Sequence, residues 1–75
     1  MDKRLIPEKR IGLAIRAKRE ALGWSQETLA FESGLHRTYI GAVERGEKNV
    51  TLRNALRIAR SMQSTLSDLL LVAGL

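Results

Sequence analysis

Arg37, Thr38 and Tyr39 follow one another just after a glycine turn, and Gln26, Arg45, Asn49 and Arg53 flank them within a short stretch of this 75-residue chain. These side chains donate hydrogen bonds, and none belongs to a nucleophile–histidine–acid set. Arginine can pair bidentately with guanine O6 and N7, and threonine can offer a hydroxyl to a base or a methyl group to thymine. Arg37 and Thr38 are therefore suited to base edges. Gln26, where a side-chain amide and helix-start N–H groups come together, is suited to a phosphate. Arg45, Asn49 and Arg53 can clamp a phosphate backbone from either side. The chemistry on offer is recognition of a polyanion, with two residues able to read it.

These residues need elements to hold them. Ser25 is a good N-cap, Leu29 and Ala30 follow as the apolar positions of its helix, and Ser33 ends it. Gly34 breaks that helix, because glycine enters left-handed backbone without a Cβ penalty. A second helix runs from about Arg37 to Glu44, with Ile40 and Val43 as its buried edge and Arg37, Thr38 and Tyr39 at its exposed start. Ala42 falls on the exposed side, and His36 or its neighbours supply the cap. Two short helices joined by a tight turn make a helix-turn-helix.

The rest of the chain reads as support. Residues 1–6 form an irregular arm. Pro7 suits a first helical turn, and a helix runs to about Leu22 with Ile11, Ile15 and Leu22 as its inner stripe and Ala14 beside them. Arg19 falls on the same stripe, where an unpaired charge is costly. Glu44 also points partly inward, so Arg19 and Glu44 are natural partners for a structural ion pair. Residues 45–50 are turn-rich. Thr51 caps a fourth helix reaching about Met62, apolar along Leu52, Ala55, Leu56, Ala59 and Met62, with Arg53, Arg57 and Arg60 opposite. Thr65, with Asp68 three residues later, opens a fifth helix to about Val72. The expected fold is all-α: five short helices in one domain over residues 1–75.

The stretch from Ser25 to Arg45 resembles the helix-turn-helix of the phage repressor and Cro family. Ser25-Gln26, Leu29-Ala30, Gly34 and the run Leu35-His36-Arg37-Thr38-Tyr39-Ile40 with Glu44-Arg45 look most like the controller proteins of restriction–modification systems. The resemblance spans about residues 8 to 72. It implies that Gln26 anchors the DNA backbone, that Tyr39 contacts phosphate or sugar, and that an arginine–glutamate pair stands at Arg19 and Glu44. It also implies regulation of restriction and modification genes.

Composition bounds these readings. The net charge of +5 favours a polyanionic partner, although charge by itself supports only non-specific binding. With no cysteine and one histidine, neither a disulfide framework nor a usual zinc site is available, and no metal or other cofactor is expected. The absence of a catalytic set or phosphate loop argues against an enzyme. The longest apolar run, Leu69 to Ala73, is too short to span a bilayer, no signal peptide is evident, and a cytoplasmic protein is expected.

In the fifth helix, Leu66, Leu69, Leu70 and Ala73 can face the home core. Leu71 and Leu75 share a face with Ser67 and are expected to pair two copies about a two-fold axis. The leading expectation is a homodimeric transcriptional regulator on a palindromic operator of double-stranded DNA, with two dimers on one operator and contact with RNA polymerase as further partners. A phage-type repressor or antitoxin-like regulator, and a protein-interaction module using the fifth helix, are the alternatives.

Overall fold

The computed structural model describes Asp2 and residues 4–75; of the expected arm, Met1 and Lys3 lie outside the described residues. Five helices follow in order: α1 (Pro7–Ala21), α2 (Gln26–Ser33), α3 (Arg37–Glu44), α4 (Leu52–Ser61) and α5 (Leu66–Ala73). No strand occurs among the described residues.

Local chemistry sets the helix ends. The hydroxyls of Ser25, Thr51 and Thr65 accept from the N–H groups of Thr28, Asn54 and Asp68 at 3.0–3.1 Å, each satisfying a first-turn donor that has no partner inside its helix. Every helix closes with the same main-chain bond spanning five residues: Trp24 to Arg19, Leu35 to Ala30, Glu47 to Ala42, Ser64 to Ala59 and Leu75 to Leu70. That closure needs a left-handed residue just past the helix. Gly34 supplies it between α2 and α3 at φ +73°, whereas after α4 the position is held by Gln63 at φ +53°. His36 precedes α3 in extended backbone but makes no side-chain cap, contrary to expectation.

Ile15, Leu29, Ile40, Val43, Ile58 and Leu69 form the fully buried centre, with Ala14, Ala59, Met62 and Ala73 around it. Burying each of the larger side chains contributes about 1.5–3 kcal/mol. α1 lies against α3 and α5, and α2 against α3 and α4. The α1–α3 crossing is close: a Cβ on Gly12 would collide with the carbonyl oxygens of Val43 and Glu44. Arg10 fixes the other side of α1. Its buried guanidinium donates from Nε to Ala73 O (2.9 Å) and from Nη2 to Gly74 O (2.6 Å). A cation thus covers the negative end of α5, where carbonyls lack helix partners.

Four apolar assignments need correction. Leu22 is 44% exposed, because α1 ends at Ala21 and the chain turns at Gly23 before Leu22 can reach the inner stripe. Leu52 is 69% exposed and Leu56 only half-buried; the buried stripe of α4 is centred on Ala55, Ile58, Ala59 and Met62. Ala42 is 7% exposed rather than open, because the packing around α3 covers every residue from Ile40 to Glu44.

Candidate nucleic-acid interface

Residues 40–44 of α3 are all buried, so only its first turn opens to solvent. Arg37 and Thr38 stand there, both exposed. Arg37 Nε lies 3.6 Å from Glu27 Oε1 on α2, a solvated pair that water and salt screen and that a stronger acceptor can displace. Tyr39 is half-buried against the core, and its phenol oxygen accepts from Asn54 Nδ2 at 3.1 Å. Tyr39 is thereby tied to the first turns of α4, an anchor that the sequence reading missed.

At the other end of α3 lies a buried polar knot. Arg19 Nε donates to Glu44 Oε2 (2.8 Å), Nη2 to Glu44 Oε1 (3.0 Å) and Nη1 to the carbonyl of Trp24 (2.7 Å). The two side chains are 10% and 3% exposed. The hydrogen bonds to Glu44 raise the Arg19 guanidinium above its ordinary value, outweighing the opposite effect of burial. Glu44 Oε1 accepts a further bond, from Gln26 Nε2 at 3.1 Å.

Gln26 and Arg45 converge over Gly41. A Cβ built there would stand 3.1 Å from Arg45 Nη1 and 3.6 Å from Gln26 Oε1, so the missing side chain leaves room for both. Arg45 also pairs with Glu47 through two hydrogen bonds of 2.8 and 3.2 Å, which hold the Glu47 carboxyl below its ordinary range. The remaining expected backbone residues are not gathered at this point. Asn49 is exposed and lines an apolar cleft with Pro7, Ile11, Val50, Leu70 and Leu75, while Arg53 lies with Arg57 and Arg60 along the outer side of α4.

A model of the helix-turn-helix family matches residues 15–69, which include α2, the Gly34 turn and α3. The chain belongs to the helix-turn-helix family. This helix-turn-helix protein is 48% identical over 61 residues to the control protein C.SmaI of Serratia marcescens, across 81% of this chain and 73% of that one. It superposes on the restriction-modification controller protein C.AhdI from Aeromonas hydrophila with a TM-score of 0.81 at 47% identity, covering 83% of this chain and 94% of that one. For a hypothetical transcription factor from Neisseria, the TM-score is 0.85 at 36% identity, covering 93% and 79%. Both in sequence and in fold it is a helix-turn-helix protein of the restriction–modification controller type.

α5 departs from the expected arrangement. Ser67 and Leu71 face solvent, Leu71 at 78% exposure, but Leu75 does not share their helix face. The helix ends at Ala73, Gly74 turns left-handed, and Leu75 folds round to the cleft beside Leu52, Leu66 and Leu70. The glutamates at 27 and 47 also escaped the sequence reading. Their position beside Arg37 and Arg45 follows from helix packing in one case and from a tight turn in the other. No group of metal-ligating side chains occurs among the described residues, and no helix among them is long and apolar enough to cross a membrane.

Proposed function

We propose that this helix-turn-helix protein is a sequence-specific transcriptional regulator that sets the first turn of α3 in the major groove of a palindromic operator. The observation that carries this reading is the confinement of α3's open surface to that turn, where Arg37 and Thr38 stand, while Gln26 of α2 and Arg45 converge over Gly41 further along the same helix. Arg37 and Thr38 read bases. Gln26 and Arg45 hold phosphates on the near side, with Tyr39, Asn49 and Arg53 as further backbone contacts. The acidic partners of Arg37 and Arg45 occupy these cations in the free protein and yield to the duplex, whose phosphates are a denser array of acceptors.

Two copies related by a two-fold axis would present two recognition turns about 34 Å apart, one turn of DNA. The outward Leu71, with Ser67 on its face, and Leu75 at the cleft beside Leu66 and Leu70 are the residues offered for that pairing. Bound there, the protein occludes RNA polymerase or recruits it, according to where the site lies. Likeness to restriction–modification control proteins supports a role in timing restriction and modification genes.

Footprinting on the region upstream of its own gene tests the reading, with a symmetric protected site as the expected result. Arg37→Ala should cost about 1–3 kcal/mol of binding on that site and lose discrimination at one base position in each half. Equal weakening on operator and random duplexes would instead make Arg37 a backbone contact. Salt-dependent binding without any preferred sequence would favour a protein-interaction module built on α5.

A further inference from the structure

We infer that Glu44 is a positioning residue for DNA binding: its carboxylate fixes which way the Gln26 amide points, and so presents an N–H rather than a carbonyl to the phosphate. The inference rests on the proposed contact between Gln26 and the DNA backbone.

The orientation follows from the chemistry of the partners. A glutamine amide has one end that donates and one that accepts, and the two ends have nearly the same shape. Glu44 is ionised against Arg19, which donates to both of its carboxylate oxygens at 2.8 and 3.0 Å. An ionised carboxylate only accepts, so the Gln26 atom 3.1 Å from Glu44 Oε1 must be the NH2 nitrogen. The reversed amide would set two acceptors face to face. The amide oxygen is then directed over Gly41, on the side of Arg45 Nη1. One of the two Nε2 hydrogens is used by Glu44; the other has no acceptor among the described residues. Phosphate oxygens accept and do not donate, so a glutamine whose nitrogen is fixed on Glu44 with its second N–H unspent is ready for them, and one free to flip is not. Arg19 completes the device by using Nη1 to grip the Trp24 carbonyl, which anchors the chain two residues before Gln26.

The same buried pair therefore joins α1 to α3 and orders a side chain on α2. A purely structural pair would accomplish only the first. Holding the donor in place before DNA arrives also avoids ordering it on binding, which otherwise subtracts from affinity.

The experiment compares duplex binding for the wild type, Gln26→Ala, Gln26→Asn, Glu44→Gln and the double variant Gln26→Ala/Glu44→Gln, with thermal melting of each free protein. Gln26→Asn leaves the Arg19–Glu44 pair untouched but withdraws the amide from Glu44 by one methylene. Gln26→Ala is expected to weaken binding on the order of tenfold per half-site, the value of one hydrogen bond to a charged group. Gln26→Asn should lose nearly as much while melting like the wild type. Glu44→Gln should weaken binding when Gln26 is present and add little in the Gln26→Ala background.

Glu44→Gln is also the variant at risk of unfolding, so a second measurement uses the wild type alone. The side-chain amide protons of Gln26 should be widely separated in the NMR spectrum, with one slow to exchange. Wild-type affinity for Gln26→Asn alongside weakened Gln26→Ala would overturn the positioning role and leave the phosphate contact standing. Additive effects of Gln26→Ala and Glu44→Gln, or Gln26 amide protons averaged like those of a solvated glutamine, would overturn it as well. Unchanged binding by Gln26→Ala would remove the phosphate contact itself.

Discussion

Gly12 and Arg19 lie on the same helix and are held by opposite kinds of constraint. At Gly12 the carbonyls ending α3 occupy the space of a Cβ, so Gly12→Ala must push backbone against backbone. Backbone atoms cannot swing aside as a side-chain end can. The expected loss is at least the ~1–3 kcal/mol typical of overpacking, despite the better helix propensity of alanine, and urea titration would measure it. At Arg19 the constraint is electrostatic. Arg19→Met leaves Glu44 buried without its cation and should destabilise the domain by about 3–5 kcal/mol. Converting Glu44 to leucine as well removes the orphaned charge and should recover much of that loss. Small, additive losses on melting would mean that the pair contributes little.

At the scale of the element, α4 is the exception among five helices that close in one way. Four end at a left-handed glycine, and α4 ends at Gln63 with φ +53°. A residue with a Cβ is disfavoured there by about 1–2 kcal/mol. Gln63→Gly relieves that cost but admits more freedom to the unfolded chain, which takes back about 0.4–1 kcal/mol. A net gain of roughly 0.5–1 kcal/mol is expected, seen as a higher melting temperature with unchanged DNA binding. A lower melting temperature would show that the Gln63 side chain makes a compensating contribution.

For the whole molecule, the decisive question is pairing. Leu71 projects into solvent from the side of α5 opposite the core, so a charge there should leave the monomer's interior untouched. Leu71→Glu is expected to give a folded monomer with much weaker operator binding, because two half-sites on one body give the second contact a high effective concentration. Sedimentation and helical circular dichroism on one sample would check both halves of that expectation. A wild-type monomer at high micromolar concentration, or a Leu71→Glu dimer, would exclude α5 as the interface. Arg10 links this surface to the rest, since it holds the carbonyls of Ala73 and Gly74 just before Leu75 turns towards the cleft.

What the sequence determined by itself was local. Ser25, Thr51 and Thr65 mark their helix starts and Gly34 the turn, because a cap or a left-handed residue acts within a few residues of its own position. The spacing of Ile11, Ile15, Ile40 and Val43 was legible for the same reason: a helical face is fixed by rotation along one axis. How wide that face is, and what meets it, depends on neighbouring helices. Tertiary packing therefore buried Ile58 instead of Leu52, enclosed Ala42, and left Leu22 in water. It also brought Gln26 to Glu44 across 18 residues of sequence, a contact that no periodicity encodes. The donors at the candidate interface could be read from residue types, but their aim could not, since the direction of an amide is set by the charge it finds across the fold.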